Sequence, residues 1–593
     1  MRMGIGLGIG INRSNYAQGI FGAYQSRVVA DGGTTEAGGC VDAVGGLLLN
    51  ASLLLIPSGY KSTKLYSQIP TNGNGDLTWT RASDAFRTNA SGLIQRVPWN
   101  LVQQSETFAN AYWTKTRVSI TANSTTAPNG TTTADSLIQD SGQTSRGFVG
   151  TPFISISGQL TYSIFAKKNT KDFAILTDNA LGLGFENSWF NLNTGTLGTI
   201  ASGRTATIEN VGNGWYRCSI TLTSTTTSSS FLYGHADTNN STTVVDSGGI
   251  FIWGAQLVEG TTAQTYLPTT DRLNFPRLSY MYGSCPSVLL EPQRTNLALY
   301  SEDLTQTAWA KTNSGTITAN STISPDGTQT ADTLNAGANS AQAQQALTGT
   351  SGAVYTVSIW VKRITGTGNV ILKAVENADT LIAVTSDWQR FTATVTSTST
   401  TIRIGVKLAT SGDEVAIWGS QVEAGAFATT YIPTTSASAT RVADACSKTG
   451  ISSLIGQTEG VLFADVTLDV RASSTYFAIS GSASTVSKYI GINFSAGIIK
   501  YEVVTSGVLQ ASGTLTNSST GRFKSAVGYK ANDFVFYVNG TQIGTDNSGT
   551  VPDCNDLVLY NSTFGQGVPM RYNKVVLFNT RLTNAELASL TTL

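Results

Sequence analysis

The chain says one thing twice. Residues 296–332, NLALYSEDLTQTAWAKTNSGTITANSTISPDGTQTAD, restate residues 100–135, NLVQQSETFANAYWTKTRVSITANSTTAPNGTTTAD. Ser105, Glu106, Trp113, Lys115 and Thr116 recur 196 positions later as Ser301, Glu302, Trp309, Lys311 and Thr312. After one added residue, Pro128, Gly130 and Asp135 recur 197 positions later. Later pieces match in order: SIFAK (163–167) with SIWVK (358–362), NGWYR ending at Arg217 with SDWQR ending at Arg390, and IWGAQLVEGTTAQTYLPTT (252–270) with IWGSQVEAGAFATTYIPTT (417–435). Identity this dense establishes a duplicated unit. The closing offset is 165, so the first copy is about thirty residues longer, mostly between Lys167 and Trp215, where WFNLNTGTLG reads as an added hairpin. Surface loops tolerate such insertions.

At 593 residues the chain is too long for one core, and three or four domains are expected. Each unit alternates apolar and polar residues in short runs broken by Gly, Asn and Asp, as in VYTVSIWVK and QRFTATVTS, which predicts tandem jelly-roll β-sandwiches. Charged residues are only 12%, balanced at 37 basic against 37 acidic, and no Lys/Arg run occurs. That argues against nucleic acid as the main partner. Polarity comes instead from Ser, Thr, Asn and 60 Gly, the composition of short strands and tight turns. Cys40, Cys218, Cys285, Cys446 and Cys554 are far apart, with no CxxC, so free buried thiols are expected rather than a disulfide framework or a zinc knuckle. The start, MRMGIGLGIGI, is too diluted by Gly for a signal peptide, and the apolar run 45–56 is too short to span a bilayer.

Outside the repeats, residues 1–75 read as an N-terminal attachment region, a docking segment that orders on a partner or within an oligomer. The units occupy 76–275 and 276–445 with their lead-ins, and the connector 272–297 is expected to pack on the second unit. Residues 446–593 carry a different β texture. Asn539–Gly540 in DFVFYVNGTQIG predicts a two-residue hairpin. TNAELASLTTL predicts a closing helix capped by Thr583 and Glu586, with Leu582 stapled to Leu587.

Residues 285–311, CPSVLLEPQRTNLALYSEDLTQTAWAK, with the IWGSQVEAG ending, resemble the carbohydrate-binding-like modules of bacteriophage head-spike and fibre proteins, and residues 77–101 resemble the segment preceding them. The region 446–593, opening GQTEGVLFADV and ending VVLFNTRLTNAELASLTTL, is similar to concanavalin-like or laminin-G-like domains. SRVVADGGTTEAGGCVDAV (26–44) and residues 53–82 look like the openings of virion proteins from phages of gut Bacteroidetes, including crAss-like phages. The resemblance implies a virion-surface head fibre or spike, assembled in the bacterial host cytoplasm. It would meet other virion proteins through its N-terminal region and bind glycans as a homo-oligomer, with a trimer as one form. The first unit has IQRVPWN where the second has LLEPQRTN.

For catalysis the residues offer little. The single histidine, His235 in LYGHADTNN, has no counterpart in the second copy and no GxSxG beside it. Glycoside hydrolysis needs two carboxyl groups across a groove. Asp465 and Asp469 lie four apart on one strand without the denser acidic run of the glucanase relatives, and are expected to face solvent. Glu259 and Glu423 close the repeats one position out of register. Neither an enzyme nor a cofactor site is expected. No metal ligand set is readable, and calcium enters only by fold analogy. Aromatics repeat better than charges: Trp113, Trp215 and Trp253 match Trp309, Trp388 and Trp418, and Phe165 matches Trp360. Matched strand aromatics read first as core, and Gln256 and Gln421 as buried, backbone-bonded amides. An exposed ring would stack on a sugar, which makes Trp113, Trp215, Trp309 and Trp388 the glycan-binding candidates. The expectation is an all-β, non-enzymatic virion protein. A decoration or tail-fibre protein without glycan affinity, or a polysaccharide depolymerase, stands as the alternative.

Overall fold

A computed structural model describes residues 13–31, 33–35, 46–154, 156, 158–180, 184–224, 228–271, 274–374 and 378–593. Alternation of apolar and polar side chains does what it predicts, and strands account for nearly all regular structure. The chain divides into two compact units, Pro98–Leu273 with Asn320–Ala331, and Met1–Val97, Asn274–Ala319 and Asp332–Leu593.

The first unit is the first jelly-roll module. One six-stranded sheet runs Thr205–Gly212, Trp215–Ser224, Gly158–Lys168, Gly249–Glu259, Ala134–Gln139, Val118–Thr125. The other runs Thr196–Leu197, Gly184–Asn191, Phe173–Ala180, Ser229–Ala236, Phe148–Gly150, Thr114–Thr116. Leu160, Ile164, Cys218 and Ile252 from one sheet meet Val149, Leu176, Phe190 and Tyr233 from the other in the core. The added hairpin is present, with Phe190 opposite Leu197 and Asn191 opposite Thr196.

The second module repeats the two-sheet plan with shorter strands. Val354–Thr365 lies between Gln389–Thr396 and Glu414–Ala424 in one sheet, and Thr401–Leu408 between Ala341–Thr348 and Val370–Ala374 in the other. Its core holds Val357, Ile359, Val361, Leu372, Ile402, Ile404 and Val406.

The C-terminal sandwich is not built from 446–593 alone, which corrects the expected partition. Leu77–Thr80 pairs with Ala445–Lys448 inside a ten-stranded sheet that also takes Thr34–Thr35, Gly59–Lys61 and Lys64–Leu65. Leu53–Leu55 pairs with Met570–Phe578 on the opposing sheet. Ser287–Leu290 pairs with that same strand and with Arg277–Ser279, so the connector helps complete this sandwich; it also packs on the second module as expected, Glu291 accepting from Thr430 N at 2.9 Å and Arg294 lying over the Phe427 ring. Rings from the two sheets meet at Phe477–Tyr572, 5.8 Å apart, and Tyr501–Phe536, 5.3 Å. Residues 46–80 therefore bury their apolar side chains within their own chain, not as a separate attachment region. The apolar run 45–56 splits in two, a 3-10 turn at Gly46–Asn50 and a buried strand at Leu53–Leu55. Residues 1–12, 32 and 36–45 of the expected docking segment lie outside the described residues.

An 18-residue helix, Arg13–Ala30, was not expected from the sequence. Its end is anchored by Tyr24 and Val28 against Tyr66, and by Arg27 on Asp76 at 2.5 Å. The C-terminal helix Asn584–Thr591 forms as predicted, with Thr583 N donating to Glu586 Oε2 at 2.8 Å and Glu586 N to Thr583 Oγ1 at 3.3 Å. Leu582 and Leu587 share one cluster with Leu54 and Phe463. Asn539 and Gly540 both take positive φ, 49° and 81°, closing the hairpin between Val538 and Thr541. Cys218, Cys446 and Cys554 are free and buried as expected, whereas Cys285 is disulfide-bonded, and Cys40 lies outside the described residues. Among the described residues no helix is long and apolar enough to cross a membrane.

Candidate functional site

The repeated residues are framework. In the first module the Asn100 amide donates to Ala255 O at 3.0 Å and Leu267 O at 2.8 Å, and its oxygen accepts from Val102 N and Leu257 N. Asn296 does the same in the second, with Ser420 O, Ile432 O, Ala298 N and Val422 N. Each buried amide is thus fully satisfied and ties the start of its module to the end. Ser105 Oγ meets Tyr266 OH at 2.8 Å, and Ser301 Oγ meets Tyr431 OH at 2.7 Å. Those tyrosines stack in matching triads, Phe165–Trp253–Tyr266 and Trp360–Trp418–Tyr431. Gly254 and Gly419, at φ 64° and 65°, form the bulge that lets the ring of Phe165 or Trp360 lie against the backbone. Gln256 accepts from Arg217, and Gln421 accepts from Ile432 N at 2.7 Å, as expected of buried amides.

Three of the four candidate tryptophans are core as well. Trp113, Trp215 and Trp309 are 2%, 1% and 1% exposed, with indole N–H groups donating to Gln104 O, Thr126 O, and Leu299 and Tyr300 O. None of these rings has a face for a sugar, which removes them from the site. Trp388 is half-buried, with Lys362 Nζ 5.1 Å from its ring centre. Of the two carboxylates expected to face solvent, Asp469 does and Asp465 does not, and both are paired. Asp465 is buried and accepts from Arg522 at 2.8 and 2.6 Å, while Asp469 accepts from Arg571 at 2.7 Å and Tyr282 OH at 2.6 Å. Glu423 is buried and accepts from Gln421 and Thr429. His235 is fully buried; burial first, then Lys171, pushes its pKa down to about 4.

The accessible chemistry lies on the outward face of the first module's Phe148-bearing sheet. Val149, Leu176, Phe190 and Tyr233 point into the core, so their neighbours Phe148, Thr177, Asn187, Trp189 and Gly234 point out. Register sets two rows: Phe148–Gly234–Ile175–Trp189, then Gly150–Leu232–Thr177–Asn187, with Asn179 opposite Phe185 beyond them. Loop residues cover one end of this face, where the Trp189 indole donates to Ser241 O at 3.1 Å. At the other end Phe185 is 55% exposed, and its ring centre lies 6.2 Å from that of half-buried Phe148.

Arg146 lies between these rings and the polar row. Its guanidinium carbon is 5.8 Å from the Phe148 ring centre, and Nη2 donates to Asn187 Oδ1, which also accepts from Thr177 Oγ1 at 2.8 Å. Glycine at 234 leaves the floor beneath it flat; a Cβ there would sit 2.8 Å from Gly147 O. Arg146 is only 7% exposed, yet its Nη1 has no hydrogen-bond partner. Burial and the neighbouring Arg117 lower its pKa to about 10, so it stays charged at neutral pH. The face combines aromatic planes, an amide, a hydroxyl and an unfilled cationic donor, the elements that hold a polar ring-shaped ligand.

The matching face of the second module is chemically different. Gln344, Gly405, Lys373 and Asp379 form the row equivalent to Gly150–Leu232–Thr177–Asn187, and Lys373 closes on Asp379 at 2.6 Å. The duplication therefore hid the site: its residues are those the copies do not share. The one signal in the sequence was the length difference between Lys167 and Trp215, which contains Phe185 and Asn187. Among the described residues no group of three or more His, Cys, Asp or Glu could hold a metal ion.

No protein-family model matches the sequence, and no curated protein matches it. Among solved structures the chain is similar to the CBM40 of Ruminococcus gnavus IT-sialidase bound to α2,3-sialyllactose, at 13% identity over 23% of this chain and 84% of that one, TM-score 0.21. It is also similar to the CBM22-1–CBM22-2 tandem domain of Paenibacillus barcinonensis Xyn10C, at 11% identity over 58% and 100%, TM-score 0.19. Trypanosoma rangeli sialidase aligns at 8% identity over 86% and 96%, TM-score 0.21. Two-sheet jelly-roll sandwiches, read directly from the strand pairing, are the architecture of this all-β chain.

Proposed function

We propose that this chain is a non-enzymatic surface protein of a bacteriophage particle, a head fibre or spike, that binds host or environmental glycans through the outward face of its first module. The observation that carries the binding reading is the end of that face where exposed Phe185 meets Phe148, and Arg146 lies by Phe148 and Asn187. The virion part rests on the sequence resemblance of residues 26–101 and 285–311 to phage spike and fibre proteins. Attachment to other virion proteins falls to the residues before the first sandwich strand, since 46–80 are built into the C-terminal sandwich. A homo-oligomer, with a trimer as the fibre-like form, would add avidity to weak single sites, by about 10² to 10⁴ for linked sites.

Catalysis is not part of the proposal. Asp465 and Asp469 are engaged by arginines, and His235 is buried with both ring nitrogens unpaired, so none of them is arranged to move a proton to a substrate. A structural role is favoured for the second module, whose matching face is crossed by the Lys373–Asp379 pair.

The test is binding of the full chain to polysaccharides extracted from the surface of the host cells, paired with immunogold labelling of purified particles. Retention on at least one polysaccharide, lost in Phe185→Ala, together with label on the particle, is expected. Particles free of the protein would end the virion reading, and a Phe185→Ala chain that binds as well as the unaltered one would end the site assignment.

A further inference from the structure

Arg146 holds a buried charge that no carboxylate among the described residues pairs. Its side chain has one donor engaged, on Asn187, and another, Nη1, with no partner. The carboxylates of the same region are taken by other cations: Asp178 by Arg204 at 2.6 Å, and Asp237 and Asp246 by Lys171. The charge that does act on Arg146 is another cation, Arg117, whose Nε donates to the Arg146 carbonyl oxygen at 3.1 Å. A buried guanidinium without a counter-charge destabilises a fold, and native proteins keep one where a partner arrives from outside.

The position of that charge is specific. It lies over glycine-floored sheet, beside the half-buried Phe148 ring and within one register row of the Thr177 and Asn187 side chains. A neutral sugar would offer Nη1 a hydroxyl; an anionic sugar would offer an oxygen that also neutralises the charge, the stronger bond by far.

We propose that the ligand of this face is an acidic glycan, an anionic sugar whose ring packs against Phe148 and Phe185 and whose carboxylate or sulfate oxygen accepts from Arg146 Nη1 once the covered guanidinium turns outward. The inference rests on the glycan-binding reading above and deepens it. Thr177 Oγ1 donates to Asn187 Oδ1, the acceptor that holds the other terminal nitrogen, Nη2, beside the face.

The experiment uses the full-length protein on an array of neutral, uronate-bearing, sialylated and sulfated glycans, with affinities for the strongest ligand measured by titration. The bound glycans are expected to be acidic. Reducing the carboxyl groups of a uronate or sialylated ligand, or desulfating a sulfated one, is expected to abolish binding; whichever treatment acts identifies the anion. Arg146→Gln is expected to weaken binding about thirtyfold or more, as loss of one partner of a desolvated charge pair does. Raising the salt concentration weakens acidic-ligand binding in the unaltered chain, a readout independent of any variant. Without ligand, Arg146→Gln is expected to melt no lower than the unaltered protein, whereas a structural arginine would cost stability. Equal affinity for neutral and acidic glycans, with no effect of Arg146→Gln, overturns the acidic-ligand inference and leaves the glycan reading standing. Binding to no glycan of either kind overturns both.

Discussion

Arg81 Nη1 donates to Asp444 Oδ1 at 2.9 Å, joining residues 363 positions apart with both side chains fully buried. Asp444 also accepts from Arg277 and from Glu291 N at 2.8 Å, and Glu291 is flanked by Arg277 at 2.5 Å and Arg441 at 2.9 Å. Burial alone would raise the Glu291 pKa; Arg441 and Arg277 outweigh it and hold the carboxyl well below its usual range. Three arginines around two carboxylates thus link the segments TWTRASD, FPRLSY, LLEP and ATRVAD. The LLEPQRTN lead-in of the second module is a structural device: Glu291 sits in this cluster and Asn296 in the module clamp.

Removing Asp444 leaves buried Arg81 without its carboxylate and Arg277 with Glu291 alone. Asp444→Ala is expected to cost about 3–5 kcal/mol, the loss typical when one partner of a buried ion cluster is deleted. In chemical denaturation the transition of the unit containing Asp444 should move to lower denaturant, while that of Pro98–Leu273 stays in place. An unchanged midpoint would show that the cluster adds no stability.

Strand sharing makes the C-terminal sandwich dependent on distant sequence. Expressed alone, residues 446–593 lack the strands Leu53–Leu55, Leu77–Thr80 and Ser287–Leu290. The fragment should be protease-sensitive and should expose apolar surface to a hydrophobic dye, and a cooperative melt of that fragment would contradict the pairing.

His235 couples the first unit's stability to pH. Its folded pKa of about 4 lies below the ordinary 6.5, so the unfolded chain binds the extra proton between those values. Stability is full above pH 6.5 and declines as pH falls towards 4, by about 3 kcal/mol from this group. Lys171 and Arg146 face it as cations, and Asp237 and Asp246 as the carboxylates paired with Lys171. Denaturation midpoints at pH 7, 5.5 and 4.5 should fall for the unaltered chain and flatten in His235→Gln.

Two classes of aromatic should separate cleanly on substitution. Trp215→Ala or Trp309→Ala removes a buried ring and is expected to cost about 3–5 kcal/mol. Phe185→Ala removes an exposed one and should change stability by about 0.5 kcal/mol or less while abolishing glycan retention. Thermal melts and affinity electrophoresis of the same three variants decide it.

Periodicity and repetition made the β-sandwiches, the Asn539–Gly540 hairpin and the Thr583-capped helix legible, because each rests on local chemistry. Partition was not legible, since nothing near Leu53 or Leu289 says that its strand partner lies at residue 570 or beyond. Repetition misdirected the site search for a physical reason. Duplicated modules keep what closes the fold, the Asn100–Tyr266 and Asn296–Tyr431 clamps and their tryptophans, while a binding face is free to diverge. The residues that matter for the ligand, Arg146, Phe148, Phe185 and Asn187, therefore carry no repeat signal, and Arg146 shows its character only once its burial and missing partner are seen.

The most direct measurement is hydrogen–deuterium exchange of the full chain with and without a bound polysaccharide. Protection confined to residues 146–150, 173–180 and 184–191 is the predicted result, the strands and loop that carry the outward face of the first module. Protection in the second module or the C-terminal sandwich, with these segments unchanged, would contradict the account.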